Sequence, residues 1–231
     1  MHWSLTPLPT HFDGGLGAMA EAFEEAANRL HKSARRRRFF NWVLPVGFLR
    51  RHAVELFLKS MIVTFDRRFG ALATPAAAVI VVDGKPRPIT RVHGIGLLYK
   101  ALRERIAVYE HEWRAICATD WSEFPADLDR WIHVIDQADR HGTFFRYPEF
   151  GGEDERKSMF QTSHIGEVFA AMAPGKPYSK AFVVFGEDDS VSAAYMINSS
   201  ALEEETKCLR DATECLSTAH YGLRMELASG W

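Results

Sequence analysis

Arg51, His52, Glu55, Lys59 and Asp66 are the residues whose types and spacing best suit chemistry. Each residue of a helix turns about 100°, so on one helix these five share about a third of the circumference. An imidazole, a carboxylate and an ammonium in one strip can shift each other's proton affinities and exchange protons. Glu55 precedes Lys59 by four residues, the favourable orientation for a helical ion pair. Two readings stand: a solvated stripe closed by salt bridges, or a partly buried polar cluster facing a cleft. His93 follows a predicted hairpin and precedes a predicted helix, which suits a cap or a hairpin contact. Asp139, Arg140, His141 and Arg146 surround a turn reading FFRYP. A buried Arg146 there needs a carboxylate, from Glu55 or Asp139, and would be architecture rather than catalysis.

Arg35, Arg36, Arg37 and Arg38 run directly into Phe39, Phe40 and Trp42. Such a run could bind phosphates and stack bases, and a solvated linker is its commoner explanation. The sequence contains no P-loop, no G-x-S-x-G, no H-E-x-x-H and no dinucleotide fingerprint. Scattered histidines offer no metal site, and no cofactor is expected. Cys117, Cys208 and Cys215 are too few and wrongly spaced for a structural zinc or a disulfide framework. Cys208 and Cys215 read as small core residues.

These side chains must be held by helices. A loop-like lead-in, 1–17, precedes a helix over about 16–32, where Met19, Phe23, Ala26, Ala27 and Leu30 recur at helical spacing. The strip-bearing helix spans about 45–69, with Pro45 suited to its first turn and Gly70 to its stop. It is apolar around most of its surface, as a helix in the middle of a bundle must be. It should be the most buried helix, with Leu49, Leu56 and Val63 in the core.

Val79–Val82, the pair Asp83-Gly84 and Lys85–Val92 predict a β-hairpin, with Pro86 and Pro88 confined to an edge. Helices follow over about 94–118 and 125–138, then a short one over 164–172, with 151–164 expected to be mobile. A second hairpin is predicted from 182–185 and 191–197. Ser200 and Glu203 form a capping-box pattern before a long last helix with a stripe from Leu202 to Leu227. The fold class is therefore mainly α. A single domain over 1–231 forms a bundle of four to five main helices, with small hairpins inserted at 76–92 and 180–197.

Composition bounds the rest. The chain has 231 residues, of which 47% are hydrophobic and 25% charged, an ordinary globular balance. A formal charge of −2 excludes a globally basic nucleic-acid binder but not a local basic patch. The longest apolar stretch, Leu72–Val82, is too short to span a bilayer, and the start lacks the pattern of a signal peptide. A cytoplasmic location with reduced thiols is expected.

Three strings carry a resemblance: PVGFLRRHAVELFLKSMIV, then HGIGLLYKAL, then IDQADRHGTFFRYPE. They are similar to a group of bacterial helical proteins in the HEPN-like superfamily (higher eukaryote and prokaryote nucleotide-binding). The shared patterns are R-H-x-x-E-L-x-L-K, H-x-[IL]-x-x-L and F-R-Y-P. The resemblance covers about residues 40–150 and extends to the final helix. It implies a helical bundle that dimerises. It also implies metal-independent RNA cleavage in toxin–antitoxin or phage-defence settings, or a non-catalytic interaction or regulatory module. RNA and an antitoxin or other partner protein are the implied ligands.

In the ribonuclease case a histidine serves as general acid or base, and an Arg or Lys stabilises the phosphorane. The first choice of site is His52 with Arg51, Glu55 and Lys59, and His93 opposite. The second is Arg105 and His111, which have the separation of the family's R-x5-H signature but carry Ile106 at its polar position. Exposure discriminates the two functions. An open pocket with a basic rim favours catalysis, and a network sealed under Phe144 and Tyr147 favours a structural lock.

Overall fold

The computed structural model describes residues 6–37, 42–139, 142–145, 160–171, 180–197 and 202–230. The main helices are α1 (Leu16–Arg37), α2 (Val43–Arg68), α3 (Ile95–Val108), α5 (Asp127–Ala138) and α7 (Glu203–Leu227), with short α4 (Glu110–Arg114) and α6 (Ile165–Ala171). Two small antiparallel sheets complete the mainly helical architecture.

The α2 helix is the hub. Apolar on nearly every side, it packs against α1, α7 and α3, and α5 closes the group against α7 and α3. Phe57, Leu58, Met61, Ile62, Val63 and Phe65 of α2 are fully buried. Leu49 and Leu56, expected beside Val63, are only half-buried. A seven-residue step falls about 20° short of two full helical turns, so the row 49, 56, 63 drifts into the core only at its end.

The first hairpin forms as expected, from β1 (Val79–Val82) and β2 (Lys85–Pro88). Asp83 and Gly84 both have positive φ, 51° and 72°, the requirement of a two-residue turn that matches strand twist. With only two strands every position is an edge, which accommodates Pro86 and Pro88. The strand ends earlier than Val92, because Ile89–Arg91 wind into a 3-10 turn that carries Ile89 into the core.

Four expectations change. The helix expected over 94–118 breaks at Tyr109, whose ψ of 22° separates α3 from α4. The break lets Trp113 turn inward, 1% exposed, with its indole N–H donating to the Ile106 carbonyl at 2.8 Å. The α1 helix runs to Arg37, so Arg35–Arg37 are helical backbone rather than linker, and Arg38 lies outside the described residues. Alanine and arginine are strong helix formers, which sustains the extra turn. Phe160–Thr162, within a segment read as mobile, form strand β3. That strand pairs with β5 (Val191–Ile197) opposite β4 (Lys180–Phe185), giving a three-stranded sheet in the order β3-β5-β4. Finally, the residue before α7 is Leu202, at φ 57° and with no side-chain cap. Ser200 lies outside the described residues, and Glu203, Glu204 and Glu205 place negative charge on the positive end of the helix.

The ranking of burial gives a stability test. Phe57→Ala should cost about 3–5 kcal/mol, whereas Leu56→Ala should cost clearly less. Urea unfolding of the two variants measures this, and equal losses would mean that the buried face of α2 is misassigned.

Candidate functional site

Glu55 stands at the middle of a charge network inside the bundle, only 1% exposed. One turn before it, Arg51 donates from Nη1 to Glu55 Oε2 at 3.1 Å, and one turn after it, Lys59 donates from Nζ to Oε1 at 2.7 Å. His93, at the N-terminal approach to α3, places Nδ1 at 3.0 Å from the same Oε1. An ionised carboxylate can only accept, so this contact selects the tautomer with the proton on Nδ1.

The network continues across the fold. Arg51 Nη2 donates to the His93 carbonyl at 2.6 Å, and Arg51 Nε forms an ion pair with Asp139 Oδ2 at 2.7 Å. Asp139 follows α5, and its Oδ1 accepts the backbone N–H groups of Thr143 at 2.7 Å and Phe144 at 3.0 Å. The turn back to Arg51 passes through Gly142 at φ 76°, where a Cβ would stand 3.0 Å from the guanidinium. Residues far apart in the chain thus meet on one face of α2.

The charges balance. Arg51 and Lys59 offset Glu55 and Asp139, and all four are buried. Burial alone would raise the Glu55 pKa. The Lys59 ammonium, with hydrogen bonds from Lys59 and His93 and the charge of Arg51, outweighs that and holds it below the usual carboxylate range. His93 differs in that its side chain is 49% exposed. It alone joins the network to solvent among these five residues.

The other expected site residues are dispersed. His52 lies outside the network, its ring edge-on to Phe23 of α1 at 4.5 Å and parallel to Phe48 at 6.0 Å. It sits at the rim of the strip, on the side that faces α1. Asp66 is too far along α2 to reach Glu55, since eleven residues span about 16 Å of helix. It holds Arg105 instead, at 3.3 Å, and Arg105 also donates to the Val79 carbonyl at 2.8 Å, stapling α3 to α2 and β1. His111 is exposed on α4, beyond the break at Tyr109. Arg140, His141 and Arg146 lie outside the described residues. Glu55 and Asp139, the two carboxylates offered for Arg146, are both engaged by Arg51.

A second buried network was not anticipated. Asp13, just ahead of α1, accepts the N–H groups of Gly15 at 2.9 Å and Gly17 at 2.6 Å and the Ser60 hydroxyl at 2.5 Å. His220 of α7 lies with Nε2 3.8 Å from the same carboxylate. Burial opposes ionisation of Asp13, but His220, Ser60 and the two amides overcome it and hold the pKa far below normal. Its sequence signals were an Asp in a D-G-G turn before a helix, and a His in the apolar row 216, 220, 223, 227.

Among the described residues no group of three or more His, Cys, Asp and Glu is arranged to hold a metal ion. No helix of the described residues is long and apolar enough to cross a membrane. No family model, curated protein or solved structure matches the chain.

The network predicts a pH signature. Because the folded pKa of Glu55 is depressed, its contribution is complete above its unfolded value and is lost as pH falls through the folded one. Glu55→Gln should destabilise by about 3–5 kcal/mol at pH 7, because Arg51 and Lys59 lose a buried partner. That difference should shrink steadily below about pH 4, and urea titrations across pH measure it. A difference independent of pH would contradict an ionised Glu55.

Proposed function

We propose that the chain is a HEPN-like, non-catalytic interaction module in which the charge network is a structural lock. The observation that carries this reading is the sealing of Arg51, Glu55, Lys59 and Asp139, each less than a twentieth exposed and each committed to another member. A phosphate-binding cation must be able to reach its substrate. Arg51 and Lys59 are instead spent on the buried carboxylates of Glu55 and Asp139. A symmetric homodimer and a partner protein belong to the same proposal, on the resemblance in R-H-x-x-E-L-x-L-K and F-R-Y-P.

One observation favours a second reading, metal-independent RNA cleavage. His93 is half-exposed and hydrogen-bonded through Nδ1 to a buried carboxylate, the arrangement that orients an imidazole for acid–base work. In that reading His93 replaces His52 as the acid–base group, and Arg35–Arg38 hold the RNA phosphates.

Incubating the protein with total RNA in EDTA separates the two. The lock reading expects no cleavage that depends on His93, so that wild type and His93→Gln behave alike. Cleavage by wild type that falls about 10²-fold or more in a folded His93→Gln variant would establish the ribonuclease instead. Light scattering at micromolar concentration tests assembly, and a single 26.2 kDa species would remove the homodimer.

A further inference from the structure

A cavity of about 350 Å³ opens at the opposite end of α2 from the Arg51 network. It lies where three segments converge: Thr10 and Phe12 from the N-terminal turn, Arg67 and Arg68 from the end of α2, and Leu227, Ala228 and Ser229 from the end of α7. Its volume falls at the small end of the range for ligand pockets. The lining holds two guanidiniums, two hydroxyls and three apolar side chains, but no carboxylate.

The acids nearest in sequence are all turned elsewhere. Asp13, next to Phe12, is buried against Ser60 and the backbone amides of Gly15 and Gly17. Asp66, next to Arg67, holds Arg105. Glu226, next to Leu227, accepts from Thr119 at 2.9 Å and the Trp121 indole at 3.0 Å. Among the described residues, none of these three acids pairs with the guanidiniums of the cavity.

Both helix ends here are C-terminal and carry partial negative charge, of which one carbonyl at each end is capped. The Asp66 carbonyl is taken by the N–H groups of Gly70 and Leu72, and the Arg224 carbonyl by those of Ala228 and Gly230. Arg67 is fixed by the Phe12 carbonyl and by the Phe12 ring 4.5 Å below its guanidinium, which orients it without neutralising it. Arg68 is exposed and makes no ion pair or hydrogen bond among the described residues.

We propose that this cavity binds a small organic oxyanion. Its charged head pairs with Arg67 and Arg68, the Ser229 hydroxyl donates to one of its remaining oxygens, and its short apolar part lies on Leu227 and Ala228, while the Thr10 hydroxyl is turned to the Pro7 carbonyl at 2.6 Å. Guanidinium forks match phosphate and carboxylate oxygens, and hydroxyls complete such sites. The proposal is independent of whether the Glu55 network is a lock or a catalytic site.

Isothermal titration with phenyl phosphate, benzoate and inorganic phosphate, at constant ionic strength, tests it. The expected result is saturable binding of phenyl phosphate or benzoate, tighter than inorganic phosphate, with the preferred head group identified by comparing the two. Arg68→Gln, an exposed change that leaves the core untouched, should weaken it about ten-fold or more, the worth of one charge-assisted hydrogen bond. Glu110→Gln, an exposed charge change outside the cavity lining, should leave it unchanged. Absence of saturable binding by all three probes, or equal affinity in wild type and Arg68→Gln, would overturn the proposal.

Discussion

The buried Glu55 carboxylate is the interaction on which the arrangement around α2 depends. Its two oxygens hold Arg51 and Lys59 of its own helix and the His93 ring at the start of α3. Arg51 then carries the connection to Asp139, and Asp139 to the amides of Thr143 and Phe144. A buried charge without its partner costs several kcal/mol, so each of these groups requires the others in place. The consequence is geometric. The exit of the first hairpin and the turn after α5 are fixed on one face of α2 by directional bonds, where apolar packing alone would tolerate sliding.

The Asp13 network does the same on a different side of the helix. Through Ser60 and His220 it joins the N-terminal turn, α2 and α7. The α2 helix is thus apolar in bulk and carries two polar anchors, each tying loop backbone to helix. Buried polar groups of this kind are weak evidence for extra stability, and their best-supported use is to select one packing among several. That suits the proposed interaction module. The exposed cations lie elsewhere, with Arg68 at the far end of α2 beside the cavity.

Much of the fold was legible because hydrophobic periodicity reports burial directly. The α2 helix, the first hairpin with its Asp83-Gly84 turn, α5 and the row along α7 all follow from it. The strip Arg51-Glu55-Lys59 was legible for the same reason, since residues four apart must share a face. His52 shares the edge of that strip in projection, yet it stands about 60° around the helix from Glu55, and its ring meets Phe23 of α1. Asp139 was identified as a structural acid, but its partner was not, because nothing local says that an arginine 88 residues earlier will arrive there. The break at Tyr109 and the pairing of Phe160–Thr162 depend on tertiary contacts, the indole bond of Trp113 and the free edge of β5, which no window of sequence contains.

The lock is tested most directly by a double-mutant cycle between Arg51 and Asp139, using Arg51→Met, Asp139→Asn and the pair, with unfolding free energies from urea titration. If the ion pair at 2.7 Å joins the turn after α5 to α2, the two substitutions should be coupled by about 1 kcal/mol or more, the double variant losing less than the sum. Additivity within about 0.5 kcal/mol would show that the two residues act independently, and would contradict the lock.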